Sequence, residues 1–202
     1  MKTIPRRRTQ PTITEIARRA QIIEAAIATI AELGYAKASF AQIAKRAGLS
    51  STGLISYHFA SKQDLNWAIV TEVIGEISAF MHERMRAATG PREALTSYIE
   101  GTIAFMQQKP DFMRALADIF MHGGVEYDGE SEEAVVSPLE RILQEGQATG
   151  VFRPFDTRVM ATTIQRAIDG IPIALTAEPT LDLDMYAREL VTLFTLATER
   201  RD

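Results

Sequence analysis

Apolar residues recur at steps of three and four along nearly the whole chain, the spacing of one helix face, and not at the step of two that marks a half-buried strand. Ile16, Ala20, Ile23, Ile27 and Ile30 share one face and predict a first helix, capped by Thr12 or Thr14 and closed at Gly34. Phe40, Ile43, Ala44 and Ala47 form a second, short stripe between Ser39 as N-cap and Gly48. After Leu49 and the polar pair Ser50 and Ser51, a third short helix runs through Leu54, Ile55 and Phe59 to Ala60, its three large apolar residues read as core. Ser61 then caps a long fourth helix, with Leu65, Ile69 and Val73 on its inner face, reaching about Ala88 before Thr89, Gly90 and Pro91 stop it. Further helices are predicted at about 92–108, 111–122, 132–149, 157–174 and 184–200, the fourth of these kinked or shortened by Pro172. The Gly- and acid-rich stretch 123–131 reads as a mobile loop. The pattern therefore predicts an all-α chain of about nine helices. The first three make a head (residues 1–60, with 1–11 a disordered basic arm) and the rest a helical body (61–202).

Charge sharpens this division. The net charge of -4 conceals a head with 10 Lys/Arg against 4 Asp/Glu up to Leu65, and a remainder with 12 against 22. A basic head suits a polyanion, because Lys and Arg that neutralise phosphates release condensed counterions, whereas the acidic body would be repelled by the same partner. The absence of cysteine removes disulfides, thiolate catalysis and Cys-ligated zinc, and fits a reducing compartment. No apolar run approaches the length of a membrane span, so the expected setting is the cytoplasm, with no membrane partner.

The segment from Ser39 to Leu65 has the spacing of a helix-turn-helix: a short helix, a turn at Gly48, and a second short helix whose early residues are small and polar. In that motif the first helix braces the second, which enters the DNA major groove. Ser51, Thr52 and Gly53 occupy the leading end, where small side chains let the backbone approach DNA and helix N–H groups face phosphate. Tyr57 and His58 can add hydrogen bonds to the DNA backbone, and Lys62 is placed to hold a flanking phosphate. Arg6, Arg7 and Arg8 suit either a minor-groove arm or a solvated tail.

The stretch YAKASFAQIAKRAGLSSTGLISYHFASKQDL, Tyr35 to Leu65, resembles the DNA-binding head of the TetR family. Within it, STGLISYHF is most similar to the BetI-type branch, with a turn one residue longer at Ser50–Ser51. The resemblance implies nine or ten helices, a three-helix head, and a C-terminal body that dimerises and binds a small effector. It also implies that Ser39, Tyr57, His58 and Lys62 contact phosphates, with Thr52 and Gly53 at the groove.

The body offers little for catalysis. His58, His82 and His122 form no metal-ligand pair at helical spacing, and there is no phosphate loop or nucleophile elbow, so no catalytic residue, metal or cofactor is expected. Asp118 and Asp169 fall in apolar stretches; each is either a ligand-orienting carboxylate or a surface group paired with Arg. Phe80, Met81, Met85, Phe105, Met106, Phe112, Met113, Phe120 and Met121 concentrate in mid-body. Most are core, and the same flexible thioethers and rings suit an adaptable apolar pocket for an unknown small-molecule effector. A choline-like cation would want an aromatic cage, and the one tryptophan, Trp67, lies too near the head to supply it. Operators read by helix-turn-helix proteins are commonly pseudo-palindromic, which calls for a two-fold dimer of this chain. Met160, Ile164, Ala167 and Ile171, with Tyr186, Leu190, Leu193 and Ala197, are the apolar faces predicted for it. The expectation is a DNA-binding transcriptional regulator, a repressor released from its operator by its effector. The rivals are a small helical enzyme and a helical protein-interaction module.

Overall fold

The computed structural model describes residues 12–125 and 129–200, with backbone alone for 129–132 and 134. The basic arm Arg6–Arg8 and part of the acidic loop lie outside the described residues. Among those described there are ten helices: α1 (Ile13–Leu33), α2 (Phe40–Arg46), α3 (Gly53–His58), α4 (Lys62–Met85), α5 (Pro91–Gln108), α6 (Pro110–Met121), α7 (Gly129–Ala148), α8 (Thr157–Asp169), α9 (Ile171–Ala177) and α10 (Leu183–Thr198). The all-α expectation holds. The segment predicted over 157–174 is divided at Gly170, and Pro172 falls in the first turn of α9, where its missing amide costs no intrahelical bond.

Local chemistry sets the helix starts. Thr12 and Glu15 form a reciprocal capping box on α1, and Ser39, Ser61, Asp156 and Asp182 accept a bond from a first-turn amide of α2, α4, α8 and α10. Gly48, at φ +65°, makes the left-handed step that ends the α2 turn, a conformation that penalises any residue with a Cβ.

Two apolar cores result. The first joins α1, α2, α3, α4 and α6 through Ile22, Ile27, Ile43, Ile55, Phe59, Leu65, Ile69 and Ile119. Each such side chain contributes roughly 1.5–3 kcal/mol by leaving water. The second packs α5, α7, α8 and α10 through Ile99, Ile103, Leu139, Leu143, Ile164, Ile168 and Phe194. Helix α6 stands at the border, with Ala115 and Ile119 in the first core and Met113 packed on the second. The predicted face of α1 needs one correction: its buried stripe starts at Ile22, while Ile16 is 56% exposed and Ala20 is also outward.

Candidate nucleic-acid interface

The head is tied together by α1. Arg19 donates through Nη1 to the His58 carbonyl at 3.1 Å, with its guanidinium 4.3 Å from the centre of the Phe59 ring, and Gln21 donates through Nε2 to the Ala47 carbonyl at 2.7 Å. These carbonyls close α3 and α2, where helix geometry leaves acceptors without an intrahelical donor. One helix thus caps both members of the motif and fixes their relation. Neither residue was singled out from the sequence, because the partners lie 39 and 26 positions away.

With Ile55 and Phe59 turned into the core, the opposite side of α3 faces solvent. Ser50, Ser51, Thr52, Gly53 and Leu54 are exposed in succession, followed by Ser56 and Tyr57. Leu54 is therefore not core, as its apolar character suggested, because it shares this outer face. Thr52 holds the N-cap position of α3 without using its side chain as a cap. Gly53 has no left-handed backbone, and a Cβ there would meet only Ser51 Oγ, at 3.4 Å. Ser39 accepts from the Gln42 amide at 3.3 Å and keeps its hydroxyl proton for another acceptor.

Three more of the predicted contact residues, Tyr57, His58 and Lys62, have intramolecular partners. The Tyr57 hydroxyl donates to Glu15 at 3.2 Å, and the rings of Tyr57 and His58 meet edge to face at 5.1 Å. Hydrogen bonds from the Thr12 amide and hydroxyl, and then from Tyr57, hold the Glu15 carboxyl below its ordinary range. The Lys62 ammonium donates to the Tyr35 carbonyl at 3.2 Å and lies 4.1 Å from the centre of the Tyr35 ring.

The residues predicted for a pocket do not gather around one space. Met106 is in the second core with Met85 and Met113 packed against it, whereas Phe112 and Phe120 pack on the first. Phe105 is buried edge to face against Phe80 at 5.6 Å. Met121 is 66% exposed and leaves the set, because it points away from both cores at the end of α6. Asp118 accepts from the Tyr35 amide and pairs with His122, so its carboxylate is committed to the joint between α6 and the head. Asp169 accepts from Arg166 at 2.7 Å and from Gln165 at 2.8 Å, the Arg pairing that was the alternative to a ligand role. Gln165 in turn accepts from the Tyr98 hydroxyl at 2.8 Å, giving the body a polar chain that sequence reading missed.

The apolar faces predicted for dimerisation also divide. Ile164, Ile171 and Leu190 are spent in the monomer's own core, because the strongest apolar stripe of a helix is the one its own fold buries first. Met160, Ala167, Tyr186 and Ala197 are half-buried, and Leu193 is exposed. Val159 on α8 and Met185 and Leu196 on α10 join Leu193 as large apolar side chains in solvent.

A three-helix head with an outward second motif helix, set on a long helical body, defines a helix-turn-helix protein of two-part all-α design. Residues 22–69 match the family model for the bacterial regulatory proteins of the tetR family, and residues 91–169 match that for the tetracyclin repressor-like C-terminal domain. The chain belongs to the TetR family, whose members are regulators, which answers the enzyme alternative. It is 33% identical over 109 residues to the HTH-type transcriptional regulator BetI 1 of Chromohalobacter salexigens, covering 52% of this chain and 54% of that protein. The match thus spans about half the length of this relative. In fold it is similar to a transcriptional regulator from Saccharomonospora viridis solved in complex with choline, with a TM-score of 0.81 at 22% identity over 92% of this chain and 100% of that one. It is also similar to AibR, solved with isovaleryl coenzyme A and operator DNA, with a TM-score of 0.74 at 19% identity over 87% of this chain and 97% of that one. Among the described residues no helix is long and apolar enough to cross a membrane.

Proposed function

We propose that this chain is a homodimeric repressor that binds a pseudo-palindromic operator through its head, residues 1–60, and is released by a small molecule bound in its body, residues 61–202. The observation that carries the DNA-binding part is the outer face of α3. Gly53 sits there at a position where the fold has room for a Cβ, so its smallness serves a surface that approaches from outside. Double-stranded DNA, met by Ser51, Thr52 and Gly53 at the groove and by Ser39, Tyr57, His58 and Lys62 at phosphates, is the partner that the motif and the basic head favour. Such a regulator works where the cell's DNA is, in the cytoplasm.

The second copy docks on the outer faces of α8 and α10, with Val159, Met185, Leu193 and Leu196 joining Met160, Ala167, Tyr186 and Ala197. The effector enters the α6 side of the second core beside Met85, Met106 and Met113, whose flexible side chains can repack around a guest. Phe105, Phe112, Phe120, Asp118 and Asp169 then respond to it from the surrounding shell. Regulators of the same fold were solved with ligands as unlike as choline and isovaleryl coenzyme A, so the effector follows from pocket chemistry and not from the fold. The ligand weakens operator binding only by its preference for the DNA-incompetent arrangement of the two heads.

Fluorescence anisotropy with the DNA upstream of the coding region, against scrambled DNA at low and moderate salt, tests this reading. Selective, salt-sensitive binding supports it. A folded dimer indifferent to both DNAs at low salt refutes direct operator binding by the ligand-free protein.

A further inference from the structure

At the seam between head and body, polar groups converge on Tyr35, in the turn between α1 and α2. Its amide donates to the Asp118 carboxylate on α6. Its hydroxyl accepts from Asn66 Nδ2 on α4 at 2.9 Å, and the same side-chain amide donates to the Gly124 carbonyl at 2.9 Å. The His122 ring stacks on it at 6.0 Å, with Nδ1 2.9 Å from Asp118 Oδ1. The fit is close: a Cβ at Gly124 would come within 2.9 Å of the Tyr35 hydroxyl and of the ring carbon that bears it. The Lys62 ammonium sits on this anchored residue, bonded to its carbonyl and drawn to its ring face.

A lysine on four rotatable bonds ordinarily loses rotamer freedom when it meets a phosphate. Here that loss is already incurred, and the Tyr35 carbonyl uses one of three ammonium N–H donors, leaving two for another acceptor. We propose that Tyr35 is the positioning residue for the Lys62 phosphate contact, and that Asp118, by holding the Tyr35 backbone, lets α6 set that contact from the body. This rests on the DNA-binding reading above and adds to it a route. A shift of α6 changes affinity for any DNA sequence, because a phosphate contact carries no base information.

The test is a pair of double-mutant cycles in the full chain, read by anisotropy on the upstream DNA and on scrambled DNA across salt concentrations. Lys62→Ala is expected to weaken both DNAs and to lower the salt slope by about 1. Tyr35→Leu, which keeps the carbonyl and removes the ring, is expected to weaken both by about threefold. Tyr35→Leu or Asp118→Ala added to Lys62→Ala is expected to cost nothing further. Tyr35→Phe keeps the ring over the ammonium and is expected to bind as the parent does, while melting lower for loss of the Asn66 bond. Additive losses in either cycle, or a loss in Tyr35→Phe equal to that in Tyr35→Leu, overturn the inference. Failure of the parent chain to bind any DNA would be a different result, removing the DNA-binding reading and this inference with it.

Discussion

Replacing Gly53 by alanine separates what the fold needs from what the surface needs. The backbone there is not left-handed, and the added methyl meets only the Ser51 hydroxyl at 3.4 Å, so the folded state accepts it without strain. Alanine also restricts the unfolded chain, which stabilises by about 0.4–1 kcal/mol. For a protein of this size that raises the melting temperature by roughly 1–4 °C. Against DNA the same methyl stands on the exposed leading end of α3 and holds the backbone off the groove. A loss comparable to one mismatched base pair, about 1–3 kcal/mol, weakens operator binding by roughly 5-fold to 160-fold. The assays are a thermal melt and anisotropy on the same preparation. A Gly53→Ala protein that melts no lower than the parent and binds its operator as tightly would refute the placement of Gly53 at the groove.

Two further perturbations probe the body. Leu193→Glu combined with Leu196→Glu places charges where two leucines are 56% and 57% exposed on α10; light scattering should then report a monomer of unchanged helix content, and a persisting dimer would put the interface on another face. Burial, with the Asp169 charge adding to it, pushes the Tyr98 phenol above the ordinary tyrosine range. Its contribution to stability is therefore complete below the unfolded-state value of about 10 and is lost as pH rises beyond it toward the folded-state value. Tyr98→Phe should flatten the alkaline decline in melting temperature, and an equally steep decline in that variant would assign the effect to other groups.

Much of the fold was readable because its signals are local. Ser39 and Ser61 as caps, Gly48 as a left-handed stop and the break beside Pro172 each depend on a few neighbouring residues. The outward face of α3 was readable for the same reason, save for Leu54, whose chemistry alone gives no direction. The joint at Tyr35 was not readable, since its partners lie from 27 positions away (Lys62) to 87 (His122) and leave no periodic trace. The dimer face was obscured by a different cause. Periodicity finds the most apolar stripe of a helix, and in α8 and α10 that stripe serves the monomer, leaving the weaker stripe through Val159 and Leu193 for solvent or a partner. The Met and Phe residues do not gather as a group because they divide between the two cores, Phe112 and Phe120 packing on the first and Met85, Met106 and Met113 on the second, so clustering in sequence did not become clustering in space.

The core beneath the head continues without interruption into α4 and α6. A chimeric regulator built by joining residues 1–60 to the body of a distant relative would leave Ile22, Ile27 and Phe59 facing a foreign α6, and would replace Asp118 and Asn66 at the Tyr35 seat. The transplantable unit is larger than the DNA-reading motif: it runs from α1 through α4 and includes the inner surface of α6. A new sensor module would connect to this head only if its own sixth helix were recut to match that surface, a design constraint that a division at residue 60 conceals.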